Sequence, residues 1–74
     1  MIKQELDTRG FYIHVYKADG YKSHSLIFEK HSDKYSVQEH LSTESGYEED
    51  LDLHYESENF DDLINYVKSQ GFEL

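Results

Sequence analysis

The sequence predicts an α+β domain, an antiparallel sheet of three to four strands with one C-terminal helix packed on a face. Three observations carry that expectation. Apolar residues alternate with period two through much of the chain, turn-forming residues interrupt the alternation, and the segment after Ser57 switches to a helical period. At 74 residues the chain has room for one hydrophobic core, so a single domain spanning 1–74 is expected.

Residues 2 to 7 suit a helical turn or a short strand equally. Phe11, Ile13 and Val15 alternate with Tyr12, His14 and Tyr16, which is the period of a half-buried strand. The Phe11, Ile13 and Val15 side is assigned to the core, leaving Tyr12 and Tyr16 together on the other face. Asp19-Gly20 then reads as a hairpin turn. A second strand is expected from about Ser23 to Lys30, with Leu26 and Phe28 on one face and Ile27 on the other. After a turn at His31-Ser32-Asp33-Lys34, the residues Tyr35, Val37 and Leu41 mark a third strand. Glu39 falls in phase with them, which points to a bulge or a less buried face.

Ser42 to Asp50 is polar and acidic and is expected as an exposed loop. Leu51, Leu53 and Tyr55 resume alternation as a possible fourth strand, with Asp50, Asp52, His54 and Glu56 pointing away. Phe60, Leu63, Ile64 and Val67 form one apolar helical stripe. Asn59 is placed to cap it, Asp61 and Asp62 complement its dipole, and Gly71 and Phe72 are placed to end it. Eleven aromatic residues (seven Tyr, four Phe) argue for a folded core in an otherwise polar chain.

The chain has no cysteine, which removes disulfides and thiolate zinc sites and fits a reducing compartment. No apolar run approaches a bilayer span and the first residues have no signal-peptide core, so the expected location is cytoplasmic, with no membrane partner. Formal charge is −9 and is segregated. Residues 1 to 38 hold six basic and five acidic side chains, whereas from 39 onward only Lys68 opposes eleven acids. A field of that sign repels nucleic acid and steers toward basic protein surfaces. Direct nucleic-acid binding is therefore not expected.

Glu44, Glu48, Glu49, Asp50, Asp52, Glu56, Glu58, Asp61 and Asp62 are the candidate partner-binding residues, as one outward patch. A single strand presents a carboxylate about every 6.6 Å on one face, about a quarter of the charge density of duplex DNA, so the loop and the helix start must contribute. The plainer reading is a solvated face with dipole-complementing acids. Asp52, His54 and Glu56 share a strand face, but their spacing matches no established metal motif, so no metal or other cofactor is expected. No nucleophile elbow, phosphate-cradling loop or triad signature occurs, and no enzyme is expected. The tyrosines lack the basic groove that single-strand binders pair with aromatics, and Tyr12 and Tyr16 are instead candidate protein-interface anchors.

The order of Ile2 to Leu6, strands with an Asp19-Gly20 hairpin, an acidic loop and a closing Ser57-Glu58-Asn59-Phe60 helix resembles small phage-encoded DNA-mimic inhibitors, particularly acidic anti-CRISPR proteins. The resemblance spans most of the chain as a pattern of elements and charge. It implies an inhibitor that occludes the DNA-reading groove of a bacterial defence nuclease or DNA-processing protein, with Glu48, Glu49, Asp50, Asp52, Glu56, Asp61 and Asp62 as the mimicking patch. A rival expectation is a structural or adaptor domain that self-associates through a sheet edge or the tyrosine face, so both monomer and homodimer stand open.

Overall fold

A computed structural model describes all of residues 1–74. The chain runs α1 (Ile2–Arg9), β1 (Phe11–Asp19), β2 (Lys22–His31), β3 (Lys34–Thr43), β4 (Glu48–Ser57) and α2 (Phe60–Ser69). The strands form one antiparallel meander in the order β1-β2-β3-β4, so β1 and β4 are the two edges. Both helices cover the same face, and the core lies between them and the sheet. It comprises Leu6 from α1, Leu26, Phe28, Val37 and Leu53 from the strands, and Leu63 and Val67 from α2.

The α+β class and the C-terminal helix are as the sequence predicts, but there are two helices rather than one. Residues 2–9 are helical because a left-handed stop follows at once: Gly10 sits at φ 86° and its N–H donates to the Leu6 carbonyl. Two i,i+4 ion pairs, Lys3–Asp7 and Glu5–Arg9, lie along the exposed side. In α2 the Asn59 side chain accepts from the N–H groups of Asp61 and Asp62, which satisfies donors the helix itself leaves unpaired.

Two-residue turns set the first two registers. Asp19 pairs with Lys22 around Gly20 and Tyr21, and His31 pairs with Lys34 around Ser32 and Asp33. The expected loop at Ser42–Asp50 is much shorter than its composition suggests. The β3 strand runs on to Thr43 and β4 starts at Glu48, so the ladder pairs Ser42 with Glu48 and His40 with Asp50. Backbone pairing overrides the polar sequence there because an edge strand needs no apolar outer side.

The assignment of faces in β1 is corrected. Tyr12, His14 and Tyr16 turn toward the helices, while Phe11, Ile13 and Val15 are exposed on the open face, at 41%, 50% and 53%. Tyr12 packs on Phe28 at 6.3 Å between rings, and Tyr16 meets Phe72 edge-on at 4.9 Å. At the margin of the helical layer, a tyrosine can bury its ring and keep its hydroxyl at the rim, which a shorter aliphatic residue cannot do.

Candidate functional site

The acidic site is an edge strand. Within β4, Leu53 and Tyr55 turn toward the helices, Leu53 joining the core and Tyr55 stacking on Tyr66 of α2 at 4.3 Å. That anchoring leaves Glu48, Glu49, Asp50, Asp52 and Glu56 exposed along the free edge. Glu48, Asp50 and Glu56 lie on the open face, whereas Glu49, paired opposite Leu41, lies on the helix-covered side. Asp52 does not point away as the alternation predicts, because the bulge turns it to a hollow it shares with Glu39, Leu53, Tyr66 and Phe72.

A bulge between β3 and β4 shapes the middle of this edge. Gln38 pairs with His54 but His40 pairs with Asp50, so β4 carries extra residues between them. The Gln38 amide fills the gap by donating to the Leu51 carbonyl at 2.8 Å and the Glu39 carbonyl at 2.9 Å. These are carbonyls that the broken ladder would otherwise leave without a partner. Beyond the bulge, His40 lies between two carboxylates, its Nδ1 3.0 Å from Asp50 and its Nε2 3.1 Å from Glu48. The hydrogen bond to Asp50 raises the imidazole pKa above its usual value, with Glu48 adding to the effect against some desolvation. His40 therefore locks two acids into one geometry.

The remaining candidates fall at the two ends. Glu58, Asp61 and Asp62 gather where β4 enters α2, and the Asp62 carboxylate faces the Ser57 hydroxyl at 3.5 Å. Glu44 lies at the opposite end, in the β3–β4 turn, where its N–H donates to the Tyr21 carbonyl. Glu49 accepts from the Tyr47 hydroxyl at 2.8 Å, which raises the phenol's pKa. The structure thus places Glu48, Glu49, Asp50, Asp52 and Glu56 on one edge strand but on both of its faces, sets three acids beyond its end, and leaves Glu44 in the β3–β4 turn.

The cations do not neutralise this edge. Every Lys or Arg ion pair ends on α1: Lys3 and Lys30 on Asp7, at 2.9 and 3.0 Å, and Arg9 on Glu5 at 3.4 Å. Asp7 also accepts from the Tyr35 hydroxyl, and the two ammonium groups lower its pKa to about 2. Only histidines approach the β4 acids, His40 as above and His54 at 3.8 Å from Glu56.

Sequence reasoning missed the Asp7 hub, the His40 clamp and the Gln38 plug. The spacing of Lys3, Asp7, Glu5 and Arg9 was a readable helical signal for the first of these. Nothing in the one-dimensional pattern places Gln38 or His40, because the bulge is a property of two strands together. The tyrosine-anchor expectation fails for Tyr12 and Tyr16, whose rings pack beneath the helices. No group of three or more His, Asp or Glu side chains gathers in metal-binding geometry. No helix is long and apolar enough to cross a membrane. Comparison with protein-family models, curated proteins and solved structures finds no match to this chain.

Proposed function

We propose that the chain is a stoichiometric protein inhibitor whose acidic β4 edge occupies the basic nucleic-acid-binding groove of a bacterial defence nuclease or DNA-processing protein. The observation that carries this reading is the absence of any Lys or Arg partner for the β4 carboxylates, while every basic ion pair is spent on Glu5 and Asp7. Exposed acids that no Lys or Arg neutralises keep much of their field for an external partner, and a Lys/Arg groove supplies the complement.

The edge is sparser than DNA. Five carboxylates share a ten-residue strand, about 33 Å long at the usual strand rise, whereas a duplex carries a charge about every 1.7 Å. The edge therefore stands in for a few phosphates at one recognition point, with Glu58, Asp61 and Asp62 extending it at one end. Binding of this kind displaces counterions and weakens steeply with salt.

The test is capture from bacterial lysate by the wild-type chain and by a variant carrying Glu48→Gln, Glu49→Gln, Asp50→Asn and Asp52→Asn. The wild type is expected to retain a Lys/Arg-rich nucleic-acid-binding protein at low salt and release it at high salt, and the variant is expected to lose it. Equal retention by both chains at all salt concentrations overturns the proposal.

A further inference from the structure

The two edges of the sheet differ in a way the acidic site does not explain. The β4 edge bears five carboxylates and a bulge, features that keep one strand from pairing with another. The β1 edge has neither over Phe11–Val15: no Asp, Glu, Lys, Arg or proline occurs there, and the bulge comes only at Tyr16. The same five residues expose Phe11, Ile13 and Val15 on the open face, where Ile13 lies opposite the half-buried Ile27 of β2.

The free backbone groups can be placed. Lys30 N–H donates to the Gly10 carbonyl at 2.9 Å, so by antiparallel alternation Tyr12 and His14 aim their N–H and C=O groups at β2. Those of Phe11, Ile13 and Val15 point out of the sheet. An unpaired row of three residues, apolar on its open side, is a template for another strand.

We propose that two copies of this chain join edge to edge through β1, antiparallel about a two-fold axis at Ile13. In that register Ile13 pairs with the partner's Ile13, and Phe11 with the partner's Val15. All three outward residues of each copy are satisfied by about six inter-chain hydrogen bonds. The aliphatic row then runs unbroken from Ile27 through Ile13 of one copy to the same pair in the other.

Charge selects a second copy over another occupant. Each chain carries −9, and β1 is the edge farthest from the acids. Joining there sets the two β4 edges seven strand spacings apart, about 33 Å, several times the Debye length of about 8 Å at physiological salt. The β1 row has no acid of its own to attract a basic strand. Assembly stops at two, because the remaining edges are the acidic ones.

Sedimentation of the wild type and of Ile13→Lys and Ile13→Glu tests this. Ile13 is half-exposed outside the core, so both variants are expected to keep the wild-type circular dichroism. The wild type is expected to sediment as two 8.8 kDa chains at submillimolar concentration and each variant as one. A one-to-one mixture of the variants is expected to return to two chains by pairing Lys with Glu across the axis. A single-chain wild type, a mass that grows beyond two, two-chain variants or a mixture that stays single each overturns it. Hydrogen exchange on the wild type needs no variant: the Phe11, Ile13 and Val15 amides are expected to lose protection on dilution, and concentration-independent exchange overturns the proposal. Neutralising the β4 acids is expected to leave the dimer intact, so this assembly and the inhibitory edge succeed or fail separately.

Discussion

The Tyr16 hydroxyl donates to the Glu39 carboxylate, tying β1 to β3 across the intervening β2. The link explains how an acid can sit in phase with Tyr35, Val37 and Leu41 on the helix-covered side. Tyr16 is itself held by Phe72 and by His24, 5.9 Å away ring to ring. Burial, then the bond to Glu39, push the phenol's pKa up to about 12.

Tyr16→Phe is expected to lower stability by about 1 kcal/mol, the usual cost of leaving a half-buried acceptor without its donor. Chemical denaturation of the two chains measures it. The folded pKa is raised, so the stabilisation is complete below the ordinary phenol value of 10 and is lost as pH rises toward about 12. A spectroscopic titration of the tyrosines is expected to show one ionising late, absent in the variant.

Asp7 behaves in the opposite sense. Its folded pKa is lowered from 3.8 to about 2 by Lys3 and Lys30, so its contribution is present above 3.8 and disappears as pH falls toward 2. Asp7→Asn is expected to melt at a lower temperature than wild type at neutral pH. The difference should narrow through that acid window and shrink with added salt, because the pairs are solvent-exposed.

His40 has a raised folded pKa, so its stabilisation is complete below the free imidazole value of 6.5 and is lost as pH climbs through the higher folded value. His40→Gln is expected to be less stable than wild type in mildly acidic solution and to converge with it in alkali. An NMR titration is expected to show the His40 ring releasing its proton later than free imidazole. Replacing Asp50 with Asn should move that midpoint down more than replacing Glu48 with Gln.

Ser32 opens the β2–β3 hairpin at φ 52°, a backbone region that favours glycine. Ser32→Gly is expected to stabilise the fold by about 1 kcal/mol by removing the cost of holding a Cβ there, offset in part by the freedom glycine gains when unfolded. Thermal unfolding of the two proteins checks the sign.

Helix α2 was fully legible in the sequence, because Asn59, the Phe60-Leu63-Ile64-Val67 stripe and Gly71 state its start, buried face and end independently. The faces of β1 were not. A strand with Phe11, Ile13 and Val15 on one side and Tyr12, His14 and Tyr16 on the other satisfies period two in either orientation, and only the position of the helical layer decides. The segment from Ser42 to Asp50 looked like a loop because its side chains are polar, yet its backbone completes the ladder to β3. For the acidic site, the list of carboxylates could be read directly, whereas their place on an edge strand follows from β4 being last in the meander and their split between its two faces from the bulge. The clamp at His40 depends on a two-strand bulge, which no single-strand pattern encodes.

An inhibitor whose β4 edge takes the place of nucleic acid must compete with DNA for its partner. A protein captured through this edge would be titrated with duplex DNA while the bound inhibitor is followed. The expected result is mutual exclusion, with DNA releasing the chain in proportion to occupancy. A stable complex holding partner, DNA and this chain together would contradict it.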